Sequence, residues 1–490
     1  MNYLGRVMTK EFLTQNSHLS ETHAVRGSIA ILNASYANLC DYEPIDPAII
    51  AQCEMSGLEV LPVEATSPKG ADKPCWPADL GLIDLRQTFL HLEMADKIVL
   101  AAKNYRFQIL FLLSVHTPEP IIKRLSHAGR IYLGEDLIGC LHDEFREMIR
   151  AKTIYNEFNR RKQSLDNFND NSTVKLDTIS SPAPAHPKLS IPSPAQGAPK
   201  TTLIAGKPGR EILSLINALM DNGHTVKCAY RPGQAIRALE SNMIDGAVFF
   251  PSQKGDPLIA LARTMRRHTR FKSIPVIHVV PDRHLQQDMM FTIRGANSVL
   301  SCDHIMPCGG ILIDNIFNFT KTISSMQAQL RATGLDHADH MPVIRDELSL
   351  LFSSEFFAHH THALIKNADC AERPLNFLAI NIARAKDINI SNRKILNQIG
   401  PLINRVIRAE DFIGQISTNR YGLVCATALN SSHDDKIHKI AGRITSIIHN
   451  TMFYDNQGGP ISLVANANVY IREAGLCIEE TVAGILNSVR

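Results

Sequence analysis

The sequence predicts an α/β chain: two doubly wound units, each on a five-stranded parallel sheet, followed by an α+β unit. Short apolar runs alternate twice with segments of helical period, a proline-rich stretch separates the two series, and the last third changes to paired strands with helices between them. At 490 residues several domains are expected. The boundaries read as an N-terminal tail over 1–26, a first unit over 27–160, a Pro/Ser-rich linker over 161–200, a second unit over 201–330 and a third over 331–490.

In the first unit, strands are expected over 29–32, 58–63, 80–84, 107–113 and 131–133. These runs are apolar on both faces, which suits parallel strands covered by helices on either side. The helix that begins near Leu137 places Ile138, Leu141, Phe145 and Met148 on one stripe and continues past the sheet edge, as a dimerising or signalling helix would. The linker carries Pro182, Pro184, Pro187, Pro192, Pro194 and Pro199 and buries too little apolar surface to offset its ordering entropy.

The second unit repeats the plan, with strands over 202–205, 226–230, 246–250, 275–280 and 298–301, and helices over 210–220, 234–240, 257–268 and 285–294 before a closing helix through Leu330. In the third unit, helices are expected over 346–366, 394–408 and 435–449 with one more at the terminus, and strands over 375–382, 412–416, 421–426 and 461–469.

Composition excludes several classes. Lys and Arg number 51 against 48 Asp and Glu, so no basic excess points to nucleic acid. The first residues lack the apolar core of a secretory signal, and no run of apolar residues is long enough to span a bilayer, so a cytoplasmic protein without a membrane span is expected. Ten cysteines without a C-x-x-C pair read as buried or idle thiols of a reducing compartment.

Four stretches of the third unit carry a resemblance. Arg345-Asp346-Glu347-Leu348-Ser349-Leu350-Leu351 is similar to a D-x-L-T-x-L opening, and the segment from Pro374 to Asn389 is similar to a strand ending in D-x-D-x-F-K-x-I-N. Arg408-Ala409-Glu410-Asp411 precedes Ser417-Thr418-Asn419-Arg420-Tyr421 at the spacing at which R-x-x-D precedes G-G-D-E-F, and 461–467 is similar to a T-V-S-x-G strand. In this order, behind two receiver-like units, the chain resembles PleD-like response regulators, built as receiver, receiver and GGDEF (diguanylate cyclase) domain. The resemblance implies flavodoxin-like receiver folds over 27–160 and 201–330 and a degenerate GGDEF domain over 331–490.

Family members join two GTP molecules on metal held by carboxylates, and hard divalent cations need anionic oxygens. Here those positions read Asn381 and Ala383 on the strand and Asn419 and Arg420 on the hairpin. The paired glycines are Ser417 and Thr418, the aromatic is Tyr421, and of the guanine-reading pair Asn389 alone remains. The resemblance therefore implies no catalytic residue and no metal site. Arg408 and Asp411 match the family's inhibitory site for cyclic di-GMP, and Arg443 matches its second-subsite arginine. A guanidinium pairs with guanine O6 and N7, and a carboxylate accepts from N1–H and N2–H. Without the resemblance, Arg408 and Asp411 read as a solvated i,i+3 ion pair and Arg443 as a surface residue.

A receiver needs an acidic pair after its first strand, an Asp ending the third, a hydroxyl ending the fourth and a Lys ending the fifth. Asp84, the candidate phosphoacceptor, and Ser114 fall at such places in the first unit, but the first strand runs Ile29-Ala30-Ile31-Leu32-Asn33-Ala34 without carboxylates and the fifth ends Leu133-Gly134-Glu135. In the second unit the positions hold Phe250, Gly206-Lys207, Val280 and Cys302, which excludes phosphorylation there. The expected function is a non-catalytic cyclic di-GMP effector of a bacterial two-component-type pathway, homodimeric through its receivers and acting on protein partners. Two alternatives stay open: a divergent diguanylate cyclase regulated by the receivers, and a ligand-free scaffold. Mg²⁺ enters only with the cyclase or the phosphoacceptor.

His359-His360-Thr361-His362 reads as a solvated helix without a metal-ligand set, and Cys302 and Cys308 as idle thiols. Arg263, Arg266, Arg267, Arg270 and Lys272 read as a solvated helix face, with an acidic docking partner as the alternative.

Overall fold

The computed structural model describes residues 27–33, 49–51, 53, 58–61, 80–104 apart from 87 and 89, 108–134, 140–171, 200–281 apart from 242, 285, 295–305, 308–333, 344–346, 349–370, 374–384, 393–417, 419–425, 433–454, 457–472 and 475.

The first unit contains β1 (Gly27–Asn33), β2 (Leu58–Leu61), β3 (Leu80–Asp84), α1 (Leu92–Asn104), β4 (Gln108–Leu113), α2 (Glu119–Leu125), β5 (Arg130–Leu133) and α3 (Cys140–Asn171). Its strands form a parallel sheet in the order β2-β1-β3-β4-β5, the flavodoxin-like arrangement. Alternation along each strand feeds two cores. Ile83, Phe111, Leu113 and Ile131 pack with α1 and α2, whereas Leu82, Leu110, Leu112 and Tyr132 pack with Phe145, Met148 and Ile149 of α3.

The linker boundary expected at residue 161 moves. Helix α3 runs on through 161–171, because Leu165 and Phe168 find an apolar partner in the third unit and Arg161 and Ser164 are buried beside them. Tertiary burial thus overrides the modest helix propensity of this Ser- and Asn-containing stretch. The prolines of the linker, and Ile138 of the expected stripe, lie outside the described residues.

The second unit contains β6 (Thr201–Gly206), α4 (Arg210–Asp221), β7 (Thr225–Ala229), α5 (Pro232–Ser241), β8 (Gly246–Phe250), α6 (Pro257–Arg267), β9 (Val276–Val280), β10 (Ser298–Ser301), α7 (Cys302–Ile305) and α8 (Gly309–Ala332). The order β10-β9-β8-β6-β7, again all parallel, repeats the first sheet. Asp256 caps α6 by accepting from Leu258 N–H at 3.0 Å, with Pro257 opening the helix. The helix expected over 285–294 falls almost wholly outside the described residues.

Helix α8 joins the units. Its Ile311 and Leu312 enter the first unit's core, and buried Asn315 donates to the carbonyls of Ser126 and Gly129 (3.2 and 2.9 Å) while accepting from Ile131 N–H (3.2 Å). Glu144 of α3 pairs with Arg130 of β5 (2.9 and 3.0 Å) and accepts from the Ser298 hydroxyl of β10 at 3.2 Å. The face made by α2, β5 and α3 is thereby covered from within the chain.

The third unit contains α9 (Ser354–Cys370), β11 (Leu375–Arg384), α10 (Arg393–Val406), β12 (Phe412–Ser417), β13 (Arg420–Cys425), α11 (His433–His449), β14 (Phe453–Tyr454), β15 (Pro460–Ile461) and β16 (Leu463–Arg472). An antiparallel sheet in the order β12-β13-β11-β16 carries α10 and α11 on one face and α9 on the other. Gly414 and Gly422 face each other across β12 and β13, and the Phe357 ring of α9 fills the space their missing side chains leave.

The helix expected from Asp346 begins only at Ser354. Between them the chain turns back: the Asp346 carboxylate accepts from Ser349 N–H at 2.6 Å, Leu350 adopts φ 58°, and Arg345 bridges to Phe352. The short β14–β15 hairpin was not legible, and the expected terminal helix lies outside the described residues.

Candidate ligand-binding site

Helix α10 ends at Val406, and the segment from Ile407 to Asp411 returns the chain to β12. Asp411, 4% exposed, closes this loop by accepting the Arg408 N–H at 3.0 Å, which leaves the Arg408 side chain in solvent. So the two residues singled out in the sequence do meet, through backbone rather than as an ion pair of side chains.

The loop is held from two further directions. Arg161 of α3, 3% exposed, donates to the carbonyls of Asp411 (2.9 Å) and Leu330 (3.1 Å) and to Glu157 Oε1 (2.7 Å). Arg345 donates to the carbonyls of Thr333, Leu350 and Arg331 (2.8, 3.1 and 3.2 Å) and stacks on Phe352, 3.6 Å from its centroid. Arg331 of α8 donates to the Asn404 carbonyl at 3.0 Å.

A cavity of about 220 Å³ opens where these groups meet, lined by Arg161, Arg331, Arg345, Arg408, Asn404 and Asp411 together with apolar side chains. Four guanidiniums against one carboxylate leave the lining at a formal +3 (4 − 1). Burial, and then the charge of Arg161, lower the Arg345 pKa to about 9. An anion placed here would relieve that repulsion in a medium where charges interact strongly.

Behind Arg161 lies a buried polar chain. Glu157 Oε1 is 3.0 Å from His360 Nε2, and His360 Nδ1 is 2.8 Å from Ser164 Oγ. His360 is fully buried, not solvated as the histidine-rich stretch predicted, because α3 packs on α9 and Phe356 and Phe412 flank the ring. Burial lowers its pKa and outweighs the pull of Glu157. Burial would raise Glu157, but Arg161, His360 and Arg160 hold its carboxyl at about 2. The pair therefore matches a neutral imidazole donating Nε2–H to a carboxylate and accepting the Ser164 hydroxyl at Nδ1.

The hairpin positions gather elsewhere. Asn381 of β11 lies opposite Arg420 of β13 and Asn466 of β16, and the Asn419 carbonyl accepts from Ile382 N–H at 3.0 Å. Ser417 is exposed at the end of β12, while Thr418 and Asn389 lie outside the described residues. Tyr421 is fully buried beneath them, its hydroxyl without a hydrogen-bond partner among the described residues. Among those residues no group of His, Cys, Asp and Glu could hold a metal ion. Arg443 is exposed on α11 and does not line the cavity.

At the first sheet's C-terminal edge, Asp84 sits beside Asn33 of β1 and is gripped by Arg86 through two bonds, at 2.9 and 2.8 Å. The Ser114 hydroxyl oxygen accepts from His116 N–H at 3.2 Å. In the second unit, Phe250 closes against Gly206, leaving no room there for a larger residue. Arg266, expected on a solvated face, is instead a half-buried clamp that donates to the carbonyls of Gly295, Lys272 and Ile274 (2.7, 2.9 and 2.8 Å), and this burial lowers its pKa to about 10. Cys302 and Cys308 are free thiols whose pKa burial pushes up to about 11. No helix among the described residues is long and apolar enough to cross a membrane.

No known family profile matches the chain, and no curated protein does. Solved structures show remote likeness over about a third of the chain. The FimX GGDEF domain from Pseudomonas aeruginosa is 12% identical over 30% of this chain and 90% of its own, with a TM-score of 0.27. The GGDEF domain of DgcB from Caulobacter crescentus, in complex with c-di-GMP, is 11% identical over 30% of this chain and 90% of its own, with a TM-score of 0.25. A DGC protein from Thermotoga maritima is 17% identical over 29% of this chain and 98% of its own, with a TM-score of 0.22.

The sequence pointed to Arg408 and Asp411 but not to Arg161, Arg331 or Arg345. Those three come from separate helices and a turn, and only tertiary packing brings them to one cavity.

Proposed function

We propose that this chain is a non-catalytic effector that binds cyclic di-GMP at the Arg408–Asp411 cavity and acts on protein partners in a two-component-type pathway. The observation that carries the reading is the cavity: four guanidiniums and one carboxylate around the R-x-x-D loop. Cyclic di-GMP offers two phosphodiester anions and two guanine edges, so it matches guanidiniums on both counts. Catalysis fits poorly, since Asn381, Ser417, Asn419 and Arg420 give divalent metal no anionic ligand. The two α/β units keep the receiver-like strand order without the acidic pair, and serve as docking and packing bodies. Self-association would use faces other than α2, β5 and α3, which α8 covers.

Calorimetric titration of cyclic di-GMP into the intact protein and an Arg408→Ala variant tests this. Micromolar binding that the variant loses supports it. No binding by the intact protein overturns it and favours the scaffold, whereas cyclic di-GMP made from GTP and Mg²⁺ would favour the cyclase.

A further inference from the structure

The R-x-x-D loop is anchored from α3 of the first unit as well as from within the third. Its Asp411 carbonyl receives an N–H of Arg161, whose other nitrogens reach the Leu330 carbonyl and Glu157. The Arg161 guanidinium lies 5.3 Å from the Phe412 centroid and 5.6 Å from that of Phe352, so it rests beside this pair of rings of the third unit, which are themselves 4.6 Å apart. Glu157 is fully buried and is itself fixed by His360 of α9, which Ser164 holds from the other side. The chain Ser164, His360, Glu157, Arg161, Asp411 thus crosses three times between α3 and the third unit within hydrogen-bonding distance at every step.

We propose that Arg161 is a positioning residue: set by Glu157, His360 and Ser164, it holds the Arg408–Asp411 loop in the shape that admits the ligand. The assignment rests on the proposed function for the word ligand, but the positioning itself does not. Arg161 offers five N–H donors, of which three are spent on the contacts above, so the guanidinium can keep its grip while facing an anion in the cavity it lines. A buried arginine without its carboxylate is strongly unfavourable, so Glu157 determines whether Arg161 stays in place.

Two variants of the full chain separate positioning from mere stability. Glu157→Gln keeps the shape and removes the charge. The pair Glu157→Leu with Arg161→Met replaces the buried ion pair by apolar groups of similar size, so that neither charge is left buried without its partner. Hydrogen exchange is read at the amides of 407–411, where the Arg408 N–H is held by Asp411, and cyclic di-GMP binding is read by calorimetry. In both variants we expect exchange at 407–411 at least about tenfold faster with the β11 and β13 amides still protected, and a dissociation constant about tenfold higher. In the apolar pair the melting temperature should stay above that of Arg161→Met alone, which strands the Glu157 carboxylate as well as the Asp411 and Leu330 carbonyls. Parent-like exchange at 407–411 in the apolar pair would overturn the assignment, because the loop would then hold its shape without Arg161. Failure of the parent to bind cyclic di-GMP would overturn the proposed function instead, and the exchange result would still decide the role of Arg161.

Discussion

Tyr421 occupies the position where the resembled hairpin motif has phenylalanine, and its hydroxyl is the clearest local misfit in the third unit. The residue is fully buried in the central strand β13, among Leu378, Ile380, Ile413 and Leu423, and its oxygen has no hydrogen-bond partner among the described residues. Burial, reinforced by the charge of Asp346, raises the phenol's pKa, so the group stays neutral and idle. An unpaired buried hydroxyl costs about 1–3 kcal/mol, and Tyr421→Phe removes it while leaving the ring's packing intact. Allowing for the dispersion contacts of the lost oxygen, the variant should be about 1 kcal/mol more stable. For a unit of this size that is a rise of about 2–4 °C in the melting temperature of the third unit. Calorimetric and urea unfolding of the full chain measure it, with cyclic di-GMP affinity expected to stay unchanged. A loss of more than about 1 kcal/mol would show that the hydroxyl has a partner and would refute the reasoning.

Other expectations follow from the same contacts. Arg345→Met strands the carbonyls of Thr333, Leu350 and Arg331 and should cost about 1–3 kcal/mol, read as an early unfolding transition of the third unit in urea. Gly400→Ala should also destabilise, because a Cβ there would strike the Ser349 carbonyl; parent-like unfolding would refute the close approach. Glu157 and His360 both have native pKa values below their ordinary ones of 4.5 and 6.5, so the native state binds fewer protons than the unfolded chain. Stability should therefore fall as pH drops through 6.5, and further below 4.5 toward about 2, with His360→Gln flattening the first part in urea titrations at successive pH values. Asp84, paired with Arg86 and lying beside Asn33 rather than a carboxylate on β1, should take up no phosphate from acetyl phosphate, and a labelled Asp84 would sink the structural reading of that pair.

Much of the architecture was readable because it rests on local pattern. The strands β3, β8 and β10 fall where their apolar runs placed them, and the alternation along β4 divides its side chains between two cores. What escaped reading was decided by partners distant in sequence. The Asp346 turn looked helical, since nothing in the local period signals a carboxylate closing on Ser349. His360 and Arg266 looked solvated, because charge and polarity along a helix do not reveal that α3 covers one and a ring of carbonyls claims the other. The Arg408–Asp411 pair was legible from its spacing, whereas the arginines that complete the cavity lie far from it along the chain.

The covering of α2, β5 and α3 by α8 bears on how a signal could be read. Contacts between separate copies respond to expression level and dilution, but here the two α/β bodies are tethered, so each sees the other at an effective concentration that dilution does not change. Their mutual arrangement is therefore a fixed reference frame, the same in a cell holding few copies as in one holding many. Occupancy of the cavity beside α3 and α8 would report the concentration of the small molecule alone, unmixed with the abundance of the protein that senses it.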